Sequence, residues 1–286
     1  MAKDSIKSGF AVMVGRSNVG KSSLLNALVG TKIAITTPKP QTTRKTIQGV
    51  VHDDRGQIVF VDTPGIFHKA KDVLTKKMNQ AVKEAMKEID VLIYVVDPTR
   101  PIGPEERELL GMIDIIQKPK LMVINKTDLK HLPYIEEYRV LKRNFLKTIE
   151  LSAKEGKNIK GLINEIFELL PEGVEYYPKH QLTNIENKQW FAELIREKLF
   201  IQLQQELPYS IHVVVDELEA KEKDLLYIKA RIITDRDRHK GMIVGKGGQM
   251  IKSIGQSARR ELEAVTGKKI YLDLEVEVQE HWQEIF

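Results

Sequence analysis

The sequence predicts two domains: an α/β domain built on a mostly parallel sheet with helices on both faces, followed by a smaller α+β domain. Three observations predict this. Short apolar runs alternate with helical stretches between positions 10 and 170, the alternation of a three-layer α/β unit. A stretch without periodicity, containing Pro171, Gly173 and Pro178, then interrupts the pattern and reads as a linker. Beyond it the order becomes helix, strand, strand, helices around a glycine-rich loop, strand. The expected boundaries are 1–172 for the first domain, 173–186 for the linker and 187–286 for the second domain. A chain of 286 residues suits two domains better than one.

The elements follow in order. FAVMV (10–14), IVFV (58–61), VLIYVV (91–96) and KLMVI (120–124) are continuous apolar runs, as expected of strands buried on both faces. Helices are expected over 22–29, ended by Gly30, and over 72–88, 104–116, 134–146 and 158–170; a short strand precedes residue 152. In the second domain Trp190, Phe191, Leu194, Ile195 and Leu199 share one helical stripe. SIHVVVDE (210–217) and LLYIKARIIT (225–234) read as strands joined by a charged turn, and Ile251, Ile254, Ala258, Leu262 and Val265 have helical spacing. YLDLEVEV (271–278) alternates strictly, with Leu272, Leu274, Val276 and Val278 on one face and Asp273, Glu275 and Glu277 on the other.

Composition excludes several chemistries. Hydrophobic residues make up 42% and charged residues 30%, a globular rather than a disordered balance. The absence of cysteine removes disulfides, thiolate catalysis and cysteine-ligated metals. MAKDSIKSGF lacks the apolar core of a signal peptide, and VLIYVV is far too short to span a bilayer. A cytoplasmic protein is expected. The net charge of +5 leans toward polyanions: nucleic acid, nucleotides or the anionic inner face of the cell membrane.

Four segments carry chemistry in the first domain. Gly15, Arg16, Ser17, Asn18, Val19, Gly20, Lys21 and Ser22 spell GRSNVGKS between a predicted strand and a predicted helix, the context a phosphate-binding loop needs. Backbone N–H groups of such a loop face the phosphates at a helix N-terminus, Lys21 adds charge, and Ser22 offers a hydroxyl to Mg²⁺; Ser23 continues the site. Asp62, Thr63, Pro64 and Gly65 form DTPG after IVFV. Asp62 is placed to hold Mg²⁺ through water, and the Gly65 N–H to meet a γ-phosphate. Asn125, Lys126, Thr127 and Asp128 form NKTD after KLMVI. Asp128 can accept from both N1–H and N2–H₂ of guanine, a pairing adenine cannot offer. Ser152, Ala153 and Lys154 form SAK, which can present a backbone N–H to guanine O6. In this order the four segments imply GTP hydrolysis rather than ATP hydrolysis.

With those residues in hand, the chain resembles a translation-factor-class GTPase of the Era family over nearly its whole length. The resemblance implies a Ras-like P-loop GTPase domain followed by a type II KH domain. It makes PQTTR (40–44) the first switch, with Thr43 as the threonine that reaches Mg²⁺ when GTP is bound and Thr42 as the fallback. Lys21, Thr43 and Gly65 are the expected catalytic contributors. Ser17 departs from the proline more usual in the family; because loop N–H groups do the cradling, a small effect is expected. Ile66 stands where Ras-type proteins place the glutamine that orients water. Isoleucine cannot hydrogen-bond, so water must be positioned by another group, a partner or an ion. Asn18 resembles the loop asparagine that relatives use to bind K⁺. Unassisted turnover is expected on the order of 10⁻⁴ to 10⁻² s⁻¹.

A second glycine loop, IVGKGGQM (243–250), lacks the Gly-Lys-Ser ending of a nucleotide loop. G-x-x-G between two short helices is instead the clamp of a KH domain, which grips about four backbone nucleotides. Gly245, Lys246, Gly247 and Gly248 would approach the sugar-phosphate chain, with Arg238, Lys240 and Lys252 adding charge, and Arg259 and Arg260 nearby. Ile243, Val244 and Ile251 would form the groove floor under the bases. The family resemblance implies the 3′ end of 16S ribosomal RNA and the small ribosomal subunit as partner; a monomer is expected. Two other readings stay open: a membrane-associated regulatory GTPase in which RNA is secondary, and an RNA chaperone in which GTP is barely hydrolysed.

Overall fold

The computed structural model describes residues 6–68, 72–87, 89–221 and 224–285. The N-terminal five residues, the last position of the helix expected over 72–88, and the centre of the charged turn at 222–223 lie outside them. The chain divides into two compact units. One comprises 1–34 and 43–184, the other 35–42 and 185–286.

In the first unit six strands form one sheet, ordered β2-β3-β1-β4-β5-β6. They are β1 (Lys7–Val14), β2 (Ile47–Asp53), β3 (Gly56–Asp62), β4 (Val91–Val96), β5 (Lys120–Ile124) and β6 (Lys147–Glu150). β2 runs antiparallel to β3, and the other neighbours are parallel. Five α-helices alternate with them: α1 (Lys21–Val29), α2 (Val73–Ala85), α3 (Pro104–Asp114), α4 (Ile135–Val140) and α5 (Ile159–Leu169). The apolar runs are continuous because both sheet faces are covered. Val12, Val14, Leu92, Tyr94 and Met122 pack with Val82 of α2, Leu109 and Ile113 of α3 and Tyr138 of α4. Ala11, Met13, Ile93 and Val95 are buried on the opposite face, while α1 packs on β2, β3 and α5. The helix expected over 134–146 is shorter: α4 ends at Val140 and a 3₁₀ turn spans Leu141–Asn144.

The stretch expected as a linker is tied into this unit. Gln57, fully buried on β3, accepts on Oε1 from the Tyr176 and Tyr177 amides at 2.8 and 3.0 Å and donates to the Tyr177 carbonyl at 2.8 Å. Farther on, the Val50 amide donates to Leu182 O at 2.8 Å, and Gly49 bridges Thr183 antiparallel. Residues 181–184 thereby cover the outer edge of β2, which would otherwise offer unpaired backbone groups.

The second unit holds α6 (Asn187–Gln202), β7 (Ile211–Lys221), β8 (Leu225–Thr234), α7 (Asp237–Val244), α8 (Gln249–Thr266), β9 (Lys269–Val278) and the short α9 (Trp282–Ile285). β7 and β8 are antiparallel, β8 and β9 parallel. α6 and α8 cover one face, where Leu194, Ile195, Leu199, Ile254, Ala258 and Leu262 meet Val213, Ile228, Ala230 and Ile232. α9 was not expected; Trp282 is buried and stacks on His212 with centroids 5.6 Å apart.

Segment 35–42 belongs to this unit through specific bonds. Ile35 joins its core. The Thr36 amide donates to Glu197 Oε1 at 2.9 Å. Lys39 Nζ donates to the carbonyls of Phe200 and Leu203, among the orphan acceptors at the end of α6. Arg196 Nη2 donates to Thr42 O at 2.5 Å. The Thr42–Thr43 peptide is therefore one of three places where the chain passes between the units, with Ala34–Ile35 and Asn184–Ile185.

Candidate nucleotide site and nucleic-acid interface

GRSNVGKS forms the turn between β1 and α1. Its carbonyls are taken by side chains. Lys21 Nζ donates to Gly15 O at 2.9 Å and Arg16 O at 3.0 Å. Arg100 Nη2 donates to Ser17 O at 2.8 Å, Lys126 Nζ to Asn18 O at 3.0 Å, and Asn125 Nδ2 to Val19 O at 2.9 Å. The Arg16 side chain reaches Glu105 and Glu106 at 3.2 and 3.0 Å. Burial pushes Lys21 down to about 8, Asp62 opposes that shift and Arg100 adds to it.

Ser22, Thr43 and Asp62 come together. Ser22 Oγ donates to Asp62 Oδ2 at 2.6 Å and shares a hydrogen bond with Thr43 Oγ1 at 2.8 Å. Asp62 is fully buried and its Oδ1 has no hydrogen-bond partner. Burial raises its carboxyl to about 6, against Lys21 and the hydroxyls of Ser22 and Thr43. A buried carboxylate oxygen left unpaired is costly. Two hydroxyls and a carboxylate are the hard oxygen donors that suit Mg²⁺, so these residues fit that ion. Thr42 is elsewhere, bonded to Thr37 Oγ1 at 2.6 Å and to Lys39 O at 2.7 Å.

The DTPG segment is packed, not loose. Thr63 Oγ1 donates to Met13 O at 2.8 Å, and Pro64 is buried. A Cβ on Gly65 would lie 2.6 Å from the Ser17 backbone, so glycine alone lets the two loops approach. Ile66 is 2% exposed, packs in the sheet core and bridges Arg16. Its side chain is buried in that core and carries no hydrogen-bonding group, so it cannot orient a water.

Gly20, Ser23, Asn125, Lys126, Asp128, Leu129, Ala153 and Lys154 line one cavity. Ser152 Oγ donates to Asp128 Oδ1 at 2.7 Å, and the Ala153 amide donates to Asn125 Oδ1 at 3.0 Å. The Thr127 amide donates to Leu151 O at 3.2 Å, locking the NKTD loop to the end of β6. Asp97, 2% exposed, accepts from Lys126 Nζ at 2.6 Å and from Thr99. Sequence reasoning missed Asp97, Arg100 and Leu129, which lie outside the four motifs; the only signal was their position after a buried strand or a motif.

In the second unit the glycine loop joins α7 to α8. Gly245, Gly247 and Gly248 have φ of 73°, 59° and 75°, a run that glycine adopts more readily than any other residue. A Cβ on Gly245 would sit 2.7 Å from Met250 Cβ, whereas Gly247 and Gly248 face open space. Arg238, Lys240, Lys246, Lys252, Arg259 and Arg260 are exposed; Arg259 also pairs with Glu263 at 3.8 Å. Val244 and Ile251 are half-buried, but Ile243 is wholly buried in the core. Helical spacing turns Ile243 toward β8 and β9, so the expected groove floor is reduced to Val244 and Ile251. Among the described residues no helix is long and apolar enough to cross a membrane.

The family model for 50S ribosome-binding GTPases matches residues 10–126, and that for KH domains matches 206–283. GTPase Era of Thermoanaerobacter sp. (strain X514) is 43% identical over 282 residues, covering 97% of this chain and 93% of that protein. GTPase Era of Carboxydothermus hydrogenoformans is 44% identical over 285 residues, covering 98% and 95%. A crystal structure of Era in complex with MgGDPNP and nucleotides 1506–1542 of 16S ribosomal RNA superposes with a TM-score of 0.90 at 38% identity, covering 97% of this chain and 95% of that one. Aquifex aeolicus Era bound to GDP·AlF4⁻ gives the same TM-score and identity over 97% and 96%. With GRSNVGKS, NKTD and a G-x-x-G domain in one chain and relatives of 43–44% identity over nearly its whole length, this protein belongs to the Era family of GTPases.

Proposed function

We propose that this GTPase is a nucleotide-operated clamp for single-stranded RNA that acts on the 3′ end of 16S ribosomal RNA in small-subunit assembly. The observation that carries the reading is the Gly245–Gly248 turn, with Lys246, Gly247 and Lys252 exposed, in a chain whose other unit lines one cavity with Asn125 and Asp128, the latter held by Ser152. The relative that superposes at TM-score 0.90 is in complex with a 16S segment, which favours that RNA over others.

In this reading the loop amides and Lys21 hold the β- and γ-phosphates, Asp128 reads guanine, and Ser22, Thr43 and Asp62 hold Mg²⁺. The metal would neutralise charge on the β- and γ-oxygens. Asn18 stands beside the same phosphates and would help hold K⁺; equal hydrolysis rates in Na⁺ and K⁺ buffers, with no change in Asn18→Ala, would dismiss that ion. Nucleotide and RNA would communicate through 35–42, which is bonded to α6 and continues directly into Thr43.

The test is crosslinking and equilibrium binding of the GTP-bound protein to a 16S 3′-end oligonucleotide, a scrambled oligonucleotide and anionic vesicles. Tighter binding to the 16S sequence, abolished when GKGG is changed to GDDG, is expected. Retained vesicle binding without RNA preference would favour the membrane-surface reading instead.

A further inference from the structure

Five consecutive carbonyls of the phosphate loop, from Gly15 to Val19, each accept from a side chain. Four of these bonds come from Lys21, Asn125 and Lys126, residues of the phosphate-loop and NKTD motifs. The fifth comes from Arg100, which stands in the loop between β4 and α3 and belongs to no motif. The donor at Ser17 O is thus the one that the nucleotide-binding motifs do not supply.

The peptide geometry says what that donor does. No cis peptide occurs among the described residues, and in a planar trans peptide the carbonyl and the following N–H point in opposite directions. With Ser17 O turned toward Arg100, the Asn18 N–H is turned the other way. Asn18 itself is left-handed, with φ of 64°, an uncommon conformation for a side-chain-bearing residue that persists where surroundings over-determine it. Its two flanking peptides are each gripped by a cation: Arg100 on Ser17 O and Lys126 on Asn18 O. Both cations lean on one buried carboxylate. Asp97 Oδ2 lies 2.6 Å from Lys126 Nζ and 3.6 Å from Arg100 Nε, and the Arg100 amide donates to Asp97 O at 3.3 Å.

We infer that Arg100 is a positioning residue for nucleotide binding: by holding the Ser17 carbonyl outward it presents the Asn18 N–H to the polyphosphate of the bound guanine nucleotide. The inference rests on the phosphate loop holding that nucleotide. It makes Asp97 the shared anchor through which the guanine-reading loop and the phosphate loop are set together.

The test uses the full-length chain with fluorescent GDP and GTP analogues and Mg²⁺, comparing wild type, Arg100→Ala and Arg100→Lys. Removing a charge-assisted bond that fixes one cradle donor should weaken both nucleotides by roughly tenfold to a hundredfold in Arg100→Ala. Arg100→Lys, which can still donate to Ser17 O, should recover most of that affinity. The Asn18 amide resonance of the GDP-bound protein should move in Arg100→Ala while that of Gly247 stays in place, which a general fall in stability would not produce. The penalty should persist at high salt, because a long-range charge effect would be screened. Unchanged binding in Arg100→Ala, a penalty that vanishes in salt, or no recovery in Arg100→Lys would overturn the inference alone. Wild-type protein that bound neither nucleotide would overturn it together with the nucleotide-site reading.

Discussion

Ser152 Oγ donates to Asp128 Oδ1 at 2.7 Å, so the carboxylate that we propose reads guanine is held by a hydroxyl from the following loop. That bond fixes the orientation of Asp128 and leaves its other oxygen to accept from the base. Asp128→Asn replaces an acceptor by a donor and should lower GTP affinity by roughly 10³-fold or more, since a buried mismatch of donors is strongly rejected. Ser152→Ala should cost about tenfold, the worth of one hydrogen bond to a charged group. Competition binding of GTP, ATP and XTP measures both, and Asp128→Asn should favour XTP, whose extra carbonyl matches the new donor.

Thr43 and Thr42 are adjacent in sequence and differ in partners. Thr43 Oγ1 lies 2.8 Å from Ser22 Oγ, whereas Thr42 bonds Thr37 and Lys39. Thr43→Ala should reduce single-turnover GTP hydrolysis by roughly a hundredfold to a thousandfold, the range for removing one group that stabilises the transition state, with GDP affinity little changed. Thr42→Ala should leave the hydrolysis step near wild type. Equal reductions in the two variants would mean that Thr42 serves the metal site instead.

The strands of the first unit were legible because covering a sheet on both faces writes continuous apolar runs into the sequence. IQGVVHD, which forms β2, was not legible: it is mixed in polarity, and its outer edge is covered by residues 181–184. The covering residues follow a Pro- and Gly-containing stretch that reads as a linker, and Gln57, which anchors that stretch at Tyr176 and Tyr177, is a polar side chain inside an apolar strand. The four nucleotide motifs were legible because phosphate and guanine chemistry dictates their residues. Arg100 and Asp97 were not, because a bond to a loop carbonyl needs a donor in the right place rather than a fixed spacing. Trp282 is buried and stacks on His212, and one aromatic beyond the last strand leaves no periodic trace.

Asp97 should make stability depend on pH in acid. Burial works to raise its carboxyl, yet the bonds from Lys126 and Thr99 outweigh burial and hold it below the usual value. A carboxyl lowered in the folded state stabilises that state above its unfolded pKa and loses the contribution as pH falls through the folded one. The window lies below about pH 4. Asp97→Asn should lower stability at pH 7 by about 1–3 kcal/mol, the cost of weakening charged hydrogen bonds. Its denaturation midpoint should fall less steeply than wild type as pH is lowered below about 4. Parallel slopes in urea titrations at those pH values would remove Asp97 from this role.

Lys246→Asp with Gly247→Asp is a clean test of the glycine clamp. Lys246 is exposed, and a Cβ on Gly247 meets nothing within 4 Å. The positive φ of 59° at Gly247 is one that aspartate tolerates better than most residues. The fold should survive while two negative charges oppose the phosphate chain. RNA affinity should drop by more than tenfold, and the dependence of log K on log salt should become shallower by about 0.7 for each phosphate that is no longer neutralised. GTP hydrolysis without RNA should be unchanged.

Lys39 is the residue through which nucleotide and RNA should be uncoupled without harming either site. Its ammonium bonds the carbonyls of Phe200 and Leu203 at the end of α6. α6 in turn holds α8, the helix that begins at the glycine loop, through Gln202 with Ser257 at 2.9 Å and Ser253 at 3.0 Å. A ligand shifts an equilibrium only through contacts that differ between states, and segment 35–42 is the stretch whose contacts end one residue before Thr43. Lys39→Ala removes a cation at a helix C-terminus, where such charges contribute roughly 0.3–1 kcal/mol, so folding should be intact. It touches neither the cavity at Asp128 nor the Gly245–Gly248 turn. GDP affinity and RNA affinity in GDP should therefore stay near wild type, while the ratio of RNA affinities with GTP analogue and GDP should move toward one. A ratio equal to wild type in Lys39→Ala, measured with the same 16S oligonucleotide, would mean that the 35–42 contacts do not carry the signal.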